Sequence, residues 1–223
     1  MDKEIISQWG RLGISLYNRS VKEVDPERLV ISTIPFLKED RKLLSLATSW
    51  LSAYSDLLHV ERLKSLACKT MTINDFPWFH AIANKIAKID SRWKILGKKQ
   101  EQKQVVSQWD EWQSLRIGLD PDFYEAGVRV AKFTTDLEKK RLTRKKILEM
   151  NPVFSIRTLF GANWRADILW VKTRLPDLSS YAIAKELGCN TETVYRISKQ
   201  IEHLGESKVK ETISYLLAGS SQI

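Results

Sequence analysis

A short segment near the C-terminal end of the chain concentrates polar and cationic side chains at helical spacing. Arginine and lysine donate hydrogen bonds to anionic oxygens, and hydroxyl, amide and carboxylate groups add donors and acceptors of defined geometry. On one face of a helix, such side chains are suited to reading a polar, negatively charged surface. The residues with this chemistry are Asn190, Thr191, Glu192, Tyr195, Arg196 and Lys199, with Gln200 to one side.

A second concentration of charge lies upstream, in the run "EKKRLTRKKILEM" from Glu138 to Met150. Six cations fall within eight residues of this run: Lys139, Lys140, Arg141, Arg144, Lys145 and Lys146. Such a run is typical of a solvated helix face or an exposed connector, and it is equally suited to contacting phosphate groups. Both interpretations remain open from the sequence.

The chain displays no recognisable catalytic or metal-binding motif. The histidines His59, His80 and His203 are far apart in sequence, and the two cysteines, Cys68 and Cys189, suit neither a metal cluster nor a disulfide framework. A phosphate-cradling glycine loop, a nucleophile elbow and zinc-ligand spacing are all missing. We therefore expect no enzymatic activity, no cofactor and no metal.

The polar segment belongs to a pattern of two short helices joined by a glycine turn. Ser179 and Ser180 are suited to begin the first helix, whose apolar face ends just before Gly188. Glycine enters the left-handed backbone conformation that ends many helices at little cost. Asn190 is suited to begin the second helix, and Val194 and Ile197 form its inner face.

This spacing resembles the helix-turn-helix of bacterial transcription regulators. The resemblance covers about 20 residues and depends on Ala184, Gly188, Val194 and Ile197. It implies a recognition helix at about residues 190–203, lying in the major groove of double-stranded DNA. The residues implied to face DNA are Ser179, Ser180, Tyr181, Asn190, Thr191, Glu192, Tyr195, Arg196 and Lys199. A helical pair used only for packing or protein contact is the alternative.

The flanking segments predict the rest of a small DNA-binding domain. The stretch "RTLFGANWRADILWVKTRL" predicts a third helix with an apolar set from Leu159 to Val171, and Arg157 and Arg165 are expected near the DNA-facing surface. After residue 204, both a two-stranded wing and a helical extension fit the sequence. The presence of a wing therefore remains open.

The larger, earlier part of the chain shows successive amphipathic helical stripes and no sustained strand-like alternation. The sequence predicts an all-α or nearly all-α protein. We expect a multi-helix domain of unknown role over 1–136, a basic connector over 137–150, and a tri-helical helix-turn-helix domain over 151–223. Most aromatic residues fall on the helical stripes, which favours a role in core packing.

Charge and hydropathy indicate the class of partner. Residues 137–223 contain 15 Lys and Arg against 9 Asp and Glu, whereas residues 1–136 contain 21 against 18. The basic surplus favours a polyanionic partner. The absence of a secretion signal and of a long apolar run predicts a cytoplasmic protein that does not bind membranes.

Together these features predict a sequence-specific regulator of transcription that binds double-stranded DNA, with a homodimer expected for a two-fold site. The alternative is an antitoxin-like or adaptor protein whose N-terminal helices bind a protein partner. In that case, the helix-turn-helix serves autoregulation or packing.

Overall fold

The computed structural model describes residues 3–14, 23–99, 104–105 and 108–203, and this part of the chain is all-α, as predicted. Within these described residues, two short strands, β1 (Gln104–Val105) and β2 (Val128–Arg129), form a parallel pair. The helices are α1 (Lys3–Arg11), α2 (Pro26–Thr33), α3 (Arg41–Tyr54), α4 (Val60–Thr70), α5 (Phe76–Ile86), α6 (Gln108–Ile117), α7 (Pro121–Glu125), α8 (Arg144–Met150), α9 (Pro152–Phe160), α10 (Trp164–Arg174), α11 (Ser180–Leu187) and α12 (Thr191–His203).

Several helices begin where an aspartate accepts hydrogen bonds from otherwise unpaired first-turn amides. Asp25 accepts from Arg28 N at the start of α2, and Asp40 accepts from Leu43 N at the start of α3. Asp120 begins α7 in the same way, followed by a proline at the first helical position. Local sequence therefore sets these helix boundaries.

The first hydrophobic core joins α1 to α5 with α7 and α8. We call the part of the molecule from α1 to α8 the N-terminal body. Trp9 and Trp50 are fully buried at its centre, with ring centroids 5.6 Å apart. Both indole N–H groups are satisfied, since Trp9 donates to Thr33 Oγ1 and Trp50 donates to the carbonyl of Leu12. The predicted packing role is confirmed for these tryptophans.

The segment predicted as a basic connector packs against the N-terminal body. The backbone N–H of Leu142 donates to the carbonyl of Gly13 at 2.7 Å, and the side chain of Ile147 is fully buried. Tyr54 donates through its hydroxyl to the carbonyl of Leu142 at 2.6 Å. Residues 141–150 are thus part of the packed structure and not a free tether.

A second, smaller core lies among α10, α11 and α12. Its buried residues are Ile156, Ala166, Ile168, Leu169, Val171, Ile183, Ala184, Leu187, Val194, Ile197 and Ile201. Helix α9 contributes to both cores, with Phe154 in the first and Ile156 in the second. The two cores therefore meet along α9.

The helix predicted from "RTLFGANWRADILWVKTRL" is interrupted in the structure. Helix α9 ends at Phe160, and Gly161 has a φ of +79°. Asn163 then begins α10 by accepting from the amides of Arg165 and Ala166 at 2.9 and 3.2 Å. Leu159, which was expected on the apolar face, is 56% exposed because it lies on the outer side of α9.

A buried ion cluster connects the N-terminal body with the C-terminal helices. The cluster consists of Glu27, His59, Arg62, Arg157 and Asp167. Arg157 donates to both oxygens of Glu27 at 2.7 and 2.9 Å and to Asp167 at 2.8 Å. Arg62 donates to Glu27 at 2.7 Å, and His59 Nδ1 lies 2.7 Å from Asp167 Oδ2.

Ion pairing within the cluster opposes the effect of burial on the pKa values of Arg157 and Asp167. Burial by itself lowers the pKa of Arg157, but Asp167 and Glu27 raise that pKa above its ordinary value. Burial likewise raises the pKa of Asp167, yet Arg157 and the hydrogen bond from His59 leave that pKa below its ordinary value. Each charge thus depends on its partners, because an unpaired ion in the interior is strongly disfavoured.

Removing one member of the buried ion cluster should therefore lower the stability of the folded protein. We expect Arg157→Leu to lower the free energy of unfolding by about 3–5 kcal/mol, since Glu27 and Asp167 would lose a buried counterion. Urea unfolding followed by circular dichroism measures this loss.

The matched control is Arg144→Ala, which removes an exposed pair with Asp56. Exposed pairs are worth at most about 1 kcal/mol, so this variant should remain close to the parent protein. Equal losses for the two variants would contradict the structural role assigned to the cluster.

Candidate nucleic-acid interface

The turn between α11 and α12 has the geometry that the sequence predicts. Gly188 follows the last residue of α11 in the left-handed region, with φ 76° and ψ 25°. The N–H groups of Gly188 and Cys189 both donate to the carbonyl of Ala184. Asn190 Oδ1 accepts from Glu192 N at 3.0 Å at the start of α12.

Apolar contacts fix the two helices against α10. Ile183, Ala184 and Leu187 form the inner face of α11, while Val194 and Ile197 lie on the inner face of α12. Ala184 is 3% exposed, so a small residue occupies the position where the two helices cross. We refer to α11, the turn and α12 as the α11–α12 pair.

The opposite face of α12 is solvent-exposed. Asn190, just before α12, and all five of the predicted residues within it are exposed: Thr191, Glu192, Tyr195, Arg196 and Lys199. The ammonium group of Lys199 lies 4.8 Å from the centroid of the Tyr195 ring. A hydrogen bond to Tyr195 raises the pKa of Lys199 above its ordinary value.

The three residues predicted to face DNA at the start of α11 differ in how far they are free to contact another molecule. Ser179 accepts from Ala182 N at 3.2 Å and is the capping residue, while Ser180 is half-buried. Tyr181 is 70% exposed and free to contact a surface beside the helix.

The six cations of the basic run have different surroundings. Arg141 donates to a backbone carbonyl of α3 at 2.7 Å, and Arg144 and Lys146 pair with carboxylates at 2.5 and 3.0 Å. The other three are exposed: Lys139, Lys140 and Lys145. Half of the run therefore has a structural partner.

The structure separates the two arginines that were expected near the DNA-facing surface. Arg165 is exposed, and its guanidinium lies 3.4 Å from Gln200 Oε1 on α12. These two residues and Arg196 line a shallow depression of about 290 Å³. The prediction for Arg157 is wrong, because Arg157 lies within the buried ion cluster, where two carboxylates neutralise it.

The N-terminal body also holds the turn of the α11–α12 pair directly. The carbonyls of residues 186–188 at the end of α11 accept hydrogen bonds of 2.8–3.0 Å from side chains of α2 and α4. Cationic donors suit this position, since the helix dipole places partial negative charge there. The donors are Arg28, Arg62, Ser65 and Lys69.

Sequence reasoning missed these four residues. Lys69 is 119 positions from its acceptor and Arg28 is 158 positions from its acceptor. A local pattern carries no signal for contacts at such separations. Only the folded structure shows that side chains of α2 and α4 donate hydrogen bonds to the turn.

His80, another candidate for chemistry, has a structural partner. His80 Nδ1 lies 2.6 Å from the carbonyl of Leu96, in the interior of the N-terminal body. Among the described residues, no group of three His, Cys, Asp or Glu side chains is arranged to hold a metal ion. Within the same residues, no helix is both long and apolar enough to cross a bilayer.

Neither protein-family models, curated protein sequences nor solved structures gave a match to this chain. The geometry of the α11–α12 pair is therefore the main evidence about function. Residues 204–223, where a wing or a helical extension was expected, lie outside the described residues.

The glycine at the turn provides a test of this geometry. We expect Gly188→Ala to destabilise the protein by about 1–2 kcal/mol, because a Cβ is disfavoured in left-handed backbone. Its Cβ would lie 3.4 Å from Leu66 Cδ2, which is ordinary contact, so the cost is conformational. Gly188→Asn is the matched control. It should destabilise the protein less than Gly188→Ala does, since asparagine tolerates this conformation. An alanine variant as stable as the parent would contradict the assigned turn.

Proposed function

We propose that this protein is a sequence-specific regulator of transcription that binds double-stranded DNA through the exposed face of α12. The observation that carries the proposal is the division of α12 into two faces. One face packs against α10 and α11, and the other presents hydroxyl, carboxylate and cationic groups to solvent. Such a face is expected of a recognition helix.

The dimensions and chemistry of α12 suit the major groove. A helix with its side chains is about 10–12 Å wide, close to the roughly 12 Å width of the groove. Arg196 is suited to bidentate contact with guanine, and Glu192 to accepting from a cytosine amine. Tyr181 and the amino end of α11 would approach the DNA backbone.

The distribution of charge supports the same surface. Arg165 and Arg196 are exposed side by side, and Lys199 lies on the same helix as Arg196. Lys139, Lys140 and Lys145, which are exposed lysines of the basic run, would add affinity that is independent of sequence.

The hydrogen bonds from α2 and α4 support a fixed orientation of the α11–α12 pair. A recognition helix that is already oriented loses little conformational freedom on binding. Two such helices in a homodimer would read two half-sites about one helical turn apart.

A second candidate function is favoured by one feature of the N-terminal body. Helix α6 exposes Trp112 by 53% and Leu115 by 85%. Neighbouring exposed apolar side chains are typical of protein–protein contact sites. A protein partner at α6 corresponds to the adaptor or antitoxin-like alternative and is compatible with DNA binding by α12.

The test is fluorescence anisotropy with duplexes tiling the upstream region of the gene and with sites selected from a randomised library. Arg196→Ala should weaken binding to the selected site by about 1–3 kcal/mol, close to 10- to 100-fold, and relax the base preference at one position. Lys199→Ala should reduce the slope of log affinity against log salt by about 1 if this lysine contacts a phosphate.

Lys94→Ala is the matched control, since Lys94 is an exposed cation on the N-terminal body. This variant should bind like the parent protein. Weak, sequence-independent binding that neither Arg196→Ala nor Lys199→Ala changes would contradict the proposal. The adaptor alternative would then be the better account.

A further inference from the structure

A cavity of about 410 Å³ lies where the N-terminal body meets α10 and α11. The start of α2 and part of α4 form one side, and α10, α11 and the segment between them form the other. Cavities of this size commonly accommodate small organic molecules. The buried ion cluster contributes to the floor, since Arg62, Arg157 and Asp167 line the cavity.

One wall of the cavity is apolar. Trp170, Leu175 and Leu178 line the side that belongs to α10 and the segment after it, and Ala182 and Leu187 line the side that belongs to α11. An aromatic or aliphatic group would bury apolar surface against this wall, which favours binding.

The guanidinium groups in the lining already have carboxylate partners. Arg62 pairs with Asp25 and Glu27, and Arg157 with Glu27 and Asp167. Arg174 pairs with Glu23 and lies over the ring of Trp170, 5.1 Å from its centroid. An anionic ligand would have to displace one of these carboxylates.

The carboxylates exceed the guanidinium groups around the cavity. The residues that line the cavity include four carboxylates, Glu23, Asp25, Asp167 and Glu186, and three guanidinium groups, Arg62, Arg157 and Arg174. Glu186 is exposed, and among the described residues its carboxylate has no cationic partner. Arg28 bonds both to Asp25 and to the carbonyl of Glu186, which places these two residues at the same end of the cavity.

We propose that this cavity binds a small amphipathic amine. Its ammonium group would pair with Glu186 beside Pro26 at the start of α2, and its apolar part would lie against Trp170 and Leu178. A positive charge balances the surplus carboxylate, whereas a negative charge adds to it. The ligand would contact α2 and α11 at once.

This position implies a link between the cavity and α12. Helix α11 is joined to α12 through the Gly188 turn, and its last carbonyls are bonded to α2 and α4. A ligand that contacts both sides would change how firmly the α11–α12 pair is held. Its effect on DNA binding rests on the proposed function, but binding of the amine does not.

The experiment compares three probes with the same phenyl group: 2-phenylethylamine, 2-phenylethanol and 3-phenylpropionate. Isothermal titration calorimetry and thermal unfolding measure their binding to the full chain. We expect saturable binding and a raised unfolding temperature with the amine only. Glu186→Gln should weaken amine binding about tenfold, through loss of a charge-assisted hydrogen bond.

Two further variants make the assignment specific. Ala182→Phe fills the apolar side of the cavity without changing charge, and it should abolish binding while circular dichroism shows a retained fold. Glu39→Gln removes an exposed carboxylate on the N-terminal body and should leave amine binding unchanged. The proposal is overturned if the alcohol or the acid binds as tightly as the amine, or if neither Glu186→Gln nor Ala182→Phe reduces amine binding. It is likewise overturned if no probe binds saturably.

A final arm repeats the DNA titration with and without saturating 2-phenylethylamine. A change in DNA affinity that Ala182→Phe removes supports the link to α12. Unchanged affinity with amine bound overturns that link. Failure of the protein to bind any duplex would overturn the proposed function, and the calorimetric result would still decide whether the cavity binds amines.

Discussion

Pairing of buried charge is the constraint on which the arrangement of the molecule depends. Arg157 lies between Glu27 on α2 and Asp167 on α10, and all three side chains are almost completely removed from solvent. Separating α2 from α9 and α10 would leave charges unpaired in a medium of low polarity, which is strongly disfavoured. The cluster therefore keeps the N-terminal body and the C-terminal helices in one relative position, although each has its own apolar core.

The features around the α11–α12 pair follow from this fixed junction. Arg62 belongs to the cluster and also donates to the carbonyl of Leu187, so the same side chain connects the buried charges to the turn. With α11 held from one side, the outer face of α12 remains open to solvent. The cavity that we propose binds an amine lies along the same junction, between the ion cluster and α11. The orientation of the α11–α12 pair, the proposed recognition of DNA by α12 and the proposed binding of an amine thus all depend on this junction.

Local features of this structure were predictable from sequence, and distant ones were not. The stripe of apolar residues, the cap at Asn190 and the turn at Gly188 depend on neighbours within a few positions, and the structure has them as expected. Arg157 pairs with Glu27, 130 positions away. The sequence around Arg157 gave no sign of this partner, so Arg157 was interpreted as a surface cation. The break at Gly161 was missed because the apolar spacing continues across it, and apolar spacing alone does not report a change of backbone conformation.

The most direct test of DNA binding by α12 is hydroxyl-radical footprinting of the full chain with and without duplex DNA. Tyr181 and Tyr195 are 70% and 53% exposed on the α11–α12 pair, and Trp112 is 53% exposed on α6, so all three side chains should be labelled in the free protein. We expect DNA to protect Tyr181 and Tyr195 and to leave Trp112 unchanged. Protection of Trp112 alone, or DNA binding that leaves both tyrosines fully labelled, would contradict the assignment of α12 as the recognition helix.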